Sequence, residues 1–134
     1  MNNKLKRLEL IQSRESMIEL LWEIHLLKNN LLDQGIIDRD GFKKISRREA
    51  QIKYLIDDLT VRIFESILTD IEEPRKKIMA ATVKINNAIQ ELQEINKFLH
   101  GLDLFINLLS TVVLSISTGN PALIARILDQ IISL

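Results

Sequence analysis

Three glutamates follow one another at four-residue steps in the N-terminal part of the chain: Glu15, Glu19 and Glu23. On a helix this spacing brings the carboxylates onto one face, close enough to repel one another or to share a cation such as Mg²⁺. A solvated helix face explains the pattern more simply, and so do ion pairs with basic side chains of the next predicted helix. These basic side chains are Arg47, Arg48 and Arg62. We therefore predict no metal site.

The two histidines are the other residues suited to acid–base chemistry or metal ligation. His25 falls among apolar residues, between Ile18 and Leu32, and His100 stands beside Gly101. Neither has a second histidine or a cysteine at ligand spacing, and the sequence has no phosphate-binding loop, nucleophile elbow or zinc motif. We interpret His25 as a residue at the edge of the core with one hydrogen-bonded nitrogen. We predict that the protein is not an enzyme, with no catalytic residue and no cofactor.

Two basic clusters are local enough to touch phosphates or lipid headgroups. They are Lys43-Lys44 with Arg47-Arg48, and Arg75-Lys76-Lys77. Acidic residues lie close to both clusters, and no aromatic residue is interleaved for stacking on bases. Over the whole chain 18 basic and 18 acidic side chains cancel, so no global field attracts nucleic acid or an anionic membrane. We do not expect nucleic acid as a partner.

Composition favours packed helices in a single domain, residues 1–134. The chain is 46% hydrophobic but only 4% aromatic, and its length fits one domain with a real core. Because it has no cysteine, nothing points to an oxidising compartment. The residues after the basic start are too polar for the core of a signal peptide. We expect an all-α protein in the cytoplasm.

The spacing of apolar residues predicts two long helices that form an N-terminal hairpin. The first covers residues 5–33, and Gly35 stands where a left-handed C-terminal cap belongs. For the second, Ser46 and Glu49 match a capping box, although Asp40 could cap the helix one or two turns earlier. This helix is expected to continue to about residue 72, where Pro74 ends it.

The remaining chain is predicted to form two or three helices. The third helix covers residues 75–100, and Gly101 permits a break before a fourth at 104–117, although one bent helix through Gly101 is an alternative. Gly119-Asn120-Pro121 combines a glycine that closes one helix with a cap and a proline that start the next. A fifth helix at 122–134 would complete a C-terminal hairpin.

An uninterrupted apolar seam follows the third and fourth predicted helices. It consists of Ile78, Ala81, Ile85, Ala88, Leu92, Ile95, Leu99, Leu102, Ile106, Leu109, Val113 and Ile116. The spacing is typical of helices that pack lengthwise. Past Gly101 the positions beside the seam are apolar as well, so this part must be covered by the chain itself, a second copy, another protein or a bilayer.

These patterns predict an up-down bundle of four to five helices with a hydrophobic C-terminal helical hairpin. The apolar residues beside the seam are our candidates for contact with a partner or a membrane. They are Leu104, Phe105, Leu108, Val112 and Leu114. We expect a non-enzymatic interaction or scaffold protein that binds another protein or self-associates through the seam as a homo-oligomer.

The alternative is a membrane-active protein whose C-terminal hairpin, residues 103–134, inserts into lipid. Two observations oppose it. The fourth predicted helix offers about 15 residues where a membrane span needs about 20, and Asp103 and Asn107 interrupt the apolar surface.

Overall fold

The part of the chain that the structure describes consists of α-helices joined by short connections, with no strand. The structure is a computed structural model, and it describes residues 2–65, 72–90, 92 and 94–118, with side chains for 12–61, 76–90, 92 and 94–114. Four helices occupy these residues: α1 (Asn2–Asp33), α2 (Arg39–Glu65), α3 (Glu72–Gln90) and α4 (Ile95–Thr118). The predicted all-α class is confirmed. The predicted Gly119-Asn120-Pro121 corner and the fifth helix lie outside the described residues.

The end of α1 is the left-handed cap that the sequence predicts. Gly35 has a φ of +72°, a conformation that favours glycine because it has no Cβ. The amide of Ile36 donates to the carbonyl of Leu31 at 2.9 Å, and the amide of Gly35 donates to that of Leu32 at 3.0 Å. This pair of hydrogen bonds is the Schellman motif, which satisfies the last carbonyls of the helix and turns the chain back.

The start of α2 differs from both predicted caps. The Asp38 carboxylate Oδ1 accepts a hydrogen bond from the amide of Gly41 at 2.9 Å, which makes Asp38 the N-cap. Asp40 instead lies in the first turn, where a negative charge favours the helix dipole. The capping box at Ser46 and Glu49 is wrong, because both residues lie well inside the helix.

The predicted break at Gly101 is also wrong. Helix α3 ends at Gln90 and α4 begins at Ile95, with Leu92 and Glu94 outside any helix. Helix α4 therefore continues through Gly101 without a break. The alternative, one bent helix that joins the third and fourth predicted helices, is not formed either, because α3 and α4 are separate. A glycine inside a helix costs only about 1 kcal/mol relative to alanine. Burial of neighbouring large side chains such as Phe98 offsets that cost.

The four helices are arranged as a ring. Helix α1 lies against α2 and α3, and α4 lies against the same two helices. Contacts from Arg14 to Asp57 and from His25 to Glu49 show that α1 and α2 are antiparallel, which confirms their predicted hairpin. Among the described residues α2 and α3, although consecutive, lie on opposite sides of the ring.

The described part of the apolar seam contributes to the core from both α3 and α4. Fully buried members include Ile78, Ile85, Leu102 and Leu109. Other members are only partly buried but pack against the core: Ala88, Leu92, Ile95, Ile106 and Val113. Of these, Leu92 lies outside the helices. The helix that carries the seam is therefore interrupted between Gln90 and Ile95, although Leu92 still packs against the core.

Candidate functional site

A polar cluster lies between α1 and α2, at the positions that the sequence assigned to a helix cap. Lys28 is only 7% exposed, and its ammonium forms an ion pair with a Glu49 carboxylate oxygen at 2.5 Å. The same ammonium donates to the Ser46 hydroxyl at 3.0 Å. It also lies 4.8 Å from the centre of the Phe42 ring, within range of a cation–π contact. One buried charge thus has three partners on α2.

The other Glu49 oxygen reaches His25. His25 Nδ1 lies 3.2 Å from Glu49 Oε2, which agrees with the interpretation of His25 as a residue with one hydrogen-bonded nitrogen. Glu49 therefore connects two residues of α1, one turn apart. A shift of α1 along α2 by one turn would separate Lys28 and His25 from Glu49 and leave a buried charge without its partner.

An open groove of about 450 Å³ lies outside this cluster, on the surface between α1 and α2. Its α1 wall consists of Ile18, Leu21, Trp22 and His25, and its α2 wall of Ser46, Glu49, Ala50 and Lys53. Most of this lining is apolar, with polar groups from His25, Ser46, Glu49 and Lys53. Grooves of this kind bind apolar side chains or ligand groups and orient them through a few polar contacts.

Trp22 forms the rim of the groove. Its ring stacks on His25, with ring centres 5.6 Å apart and planes inclined by 23°. The residue is nevertheless 59% exposed, and it is the single tryptophan of the chain. An exposed tryptophan beside an apolar groove is typical of contact surfaces, because tryptophan offers a large apolar area with one polar tip.

The three carboxylates of the row formed by Glu15, Glu19 and Glu23 do not converge on a common point in the described part of the chain. Glu15 and Glu19 are exposed and Glu23 is half-buried. No group of three histidine, cysteine, aspartate or glutamate side chains gathers there around a common point. Of the arginines proposed as their partners, Arg47 is exposed and Arg48 pairs with Asp103.

The first basic cluster is divided by its own ion pairs. Lys44 reaches Asp40 one turn back in α2, at 3.2 Å, while Lys43 is exposed. Arg48 contacts Asp103 of α4 through two hydrogen bonds, at 2.8 and 3.1 Å. In the second cluster the side chain of Arg75 lies outside the described residues, and Lys76 is exposed.

Four of the five predicted contact residues lie inside the bundle. Leu104, Phe105, Leu108 and Val112 are buried, and Leu114 is exposed. Contact of the first four with a partner or a bilayer would require α4 to leave the bundle. Self-association through the seam has the same requirement.

The predicted length of the fourth helix is wrong. Helix α4 has 24 residues instead of about 15, and its segment Ile95–Leu114 is long and apolar enough to cross a membrane. A little over half of that segment is buried inside the bundle, and the core helix of a soluble protein passes the same test. Length therefore no longer opposes the membrane alternative, although Asp103 still does.

Sequence reasoning missed the groove and the cluster beneath it. A signal was present: His25 and Lys28 are three residues apart, as are Ser46 and Glu49, and an antiparallel hairpin turning at Gly35 brings the two pairs together. No family model, curated protein sequence or solved structure matches the chain.

Proposed function

We propose that the protein is a non-enzymatic interaction or scaffold protein that self-associates while its helical core stays closed. The observation that carries the proposal is Trp22, more than half exposed at the rim of an apolar groove. Full burial of a large apolar side chain gains roughly 1.5–3 kcal/mol, and the exposed part of Trp22 forgoes its share of that gain. A partner that covers Trp22 would recover that free energy.

The closed core supports the same proposal. Phe105, Leu108 and Val112 are buried within one chain, so the monomer has a core of its own. The cluster of Lys28 and Glu49 holds the two helices that carry the groove in a fixed register. A preorganised surface binds with less loss of conformational entropy than one that must first fold.

Sedimentation velocity from about 1 to about 100 µM tests the proposal, since this range covers weak to moderate association. We expect the mass in solution to rise with concentration while the helix content by circular dichroism stays constant. Association should persist in about 1 M salt, where exposed charges are screened, because apolar contacts carry it. A monomer at every concentration would contradict the proposal.

A membrane-active protein is the second candidate function, and the length of α4 favours it. The segment proposed to insert into lipid is a hydrophobic hairpin over residues 103–134, with a fifth helix after the Gly119-Asn120-Pro121 corner. That form is supported by the sequence signals for a helix end and a helix start. In the closed bundle Arg48 holds Asp103, which gives α4 a polar contact that it would lose in lipid.

Liposome flotation and dye leakage separate the two candidates, with Asp103→Asn as the informative variant. This change removes the charge that opposes insertion and weakens the contact with Arg48. The scaffold proposal expects neither flotation nor leakage for the unmodified protein or for the variant. Leakage that increases in Asp103→Asn would favour the membrane candidate.

A further inference from the structure

We draw no further inference here: the strongest candidate, the apolar groove between α1 and α2 with the exposed Trp22 at its rim, is an unpartnered surface, and nothing in the structure shows what covers it.

Discussion

The α1–α2 contact and helix α4 both bury side chains, but the α1–α2 contact includes a paired charge, whereas the buried side chains of α4 are apolar. Between α1 and α2, a lysine that is nearly inaccessible to water is held by Glu49 and by the Ser46 hydroxyl. Along α4 the buried side chains are apolar, and Phe105 and Leu108 are fully buried. Its charged residue Asp103 lies at the edge, where Arg48 reaches it.

The difference separates two roles of buried contacts in this fold: some stabilise the folded chain, and others favour one alignment of neighbouring helices. Among the described residues, helix α4 supplies eight of the 20 buried apolar side chains, and their burial contributes a large share of the favourable free energy of folding. Leucine and isoleucine side chains can, however, pack in several registers at similar cost. A buried ion pair such as that of Lys28 and Glu49 contributes little net stability compared with an apolar pair, and we expect it to favour the alignment of α1 and α2 in which both charges are paired. The groove depends on that alignment.

The largest effect on stability should come from a charge placed in the apolar core that α3 and α4 share. Ile85→Asp places a carboxylate at a fully buried seam position, at a cost of several kcal/mol, and we expect loss of the cooperative thermal transition by circular dichroism. Leu92→Asp is the matched control, since Leu92 is on the same seam but only partly buried outside the helices. It should remain folded. Equal damage from both changes would mean that the seam is continuous.

The next largest effect should come from the polar cluster between α1 and α2. Glu49→Gln removes the counter-charge of the buried Lys28, and we expect a loss of about 3 kcal/mol in the free energy of unfolding, measured by urea denaturation. Adding Lys28→Met should recover most of that loss, because no charge then remains buried. If the double variant is no more stable than Glu49→Gln alone, the ion pair is not the reason for the loss.

The contact between Arg48 and Asp103 should matter less. It has two hydrogen bonds, but Asp103 is about half exposed, so solvent weakens the attraction. Arg48→Ala should lower the free energy of unfolding by about 1 kcal/mol. Arg47→Ala, a change at the exposed neighbour, should leave it within about 0.5 kcal/mol. Equal effects of the two changes would contradict the structural contact.

The smallest effect is expected at the carboxylate row. Glu19→Gln should change the free energy of unfolding by less than about 0.5 kcal/mol, because Glu19 is exposed. Calorimetry should show the same response to magnesium and manganese before and after the change. Micromolar metal binding that Glu19→Gln abolishes would revive a metal-dependent function.

The sequence predicts elements better than it predicts boundaries in this protein. The all-α class, α1 and its cap at Gly35 follow from apolar spacing and from the backbone freedom of glycine, which are local properties. The break between α3 and α4 was placed at Gly101, because glycine is the strongest local signal there. Packing around Gly101 decides otherwise, and packing is not local.

The candidate site shows the same limit. Ser46 and Glu49 have the spacing of a capping box. The same three-residue spacing also places two side chains on one face of a helix, where they can contact a neighbouring helix. Only the position of α1 decides between the two, because Lys28 and His25 occupy the partner positions. Trp22 could not be assigned to the surface from its spacing either, since the α1 positions around it are apolar on several sides.

The central claim is that one chain closes its own core and that association occurs elsewhere, at the groove between α1 and α2 that Trp22 borders. Hydrogen–deuterium exchange of α4 amides, followed at a dilution where sedimentation shows a monomer, tests it most directly. We predict that the amides around Phe105 and Leu108 stay as protected in the monomer as in the associated protein. Loss of that protection on dilution would contradict the claim, because the seam would then need a second copy to close it.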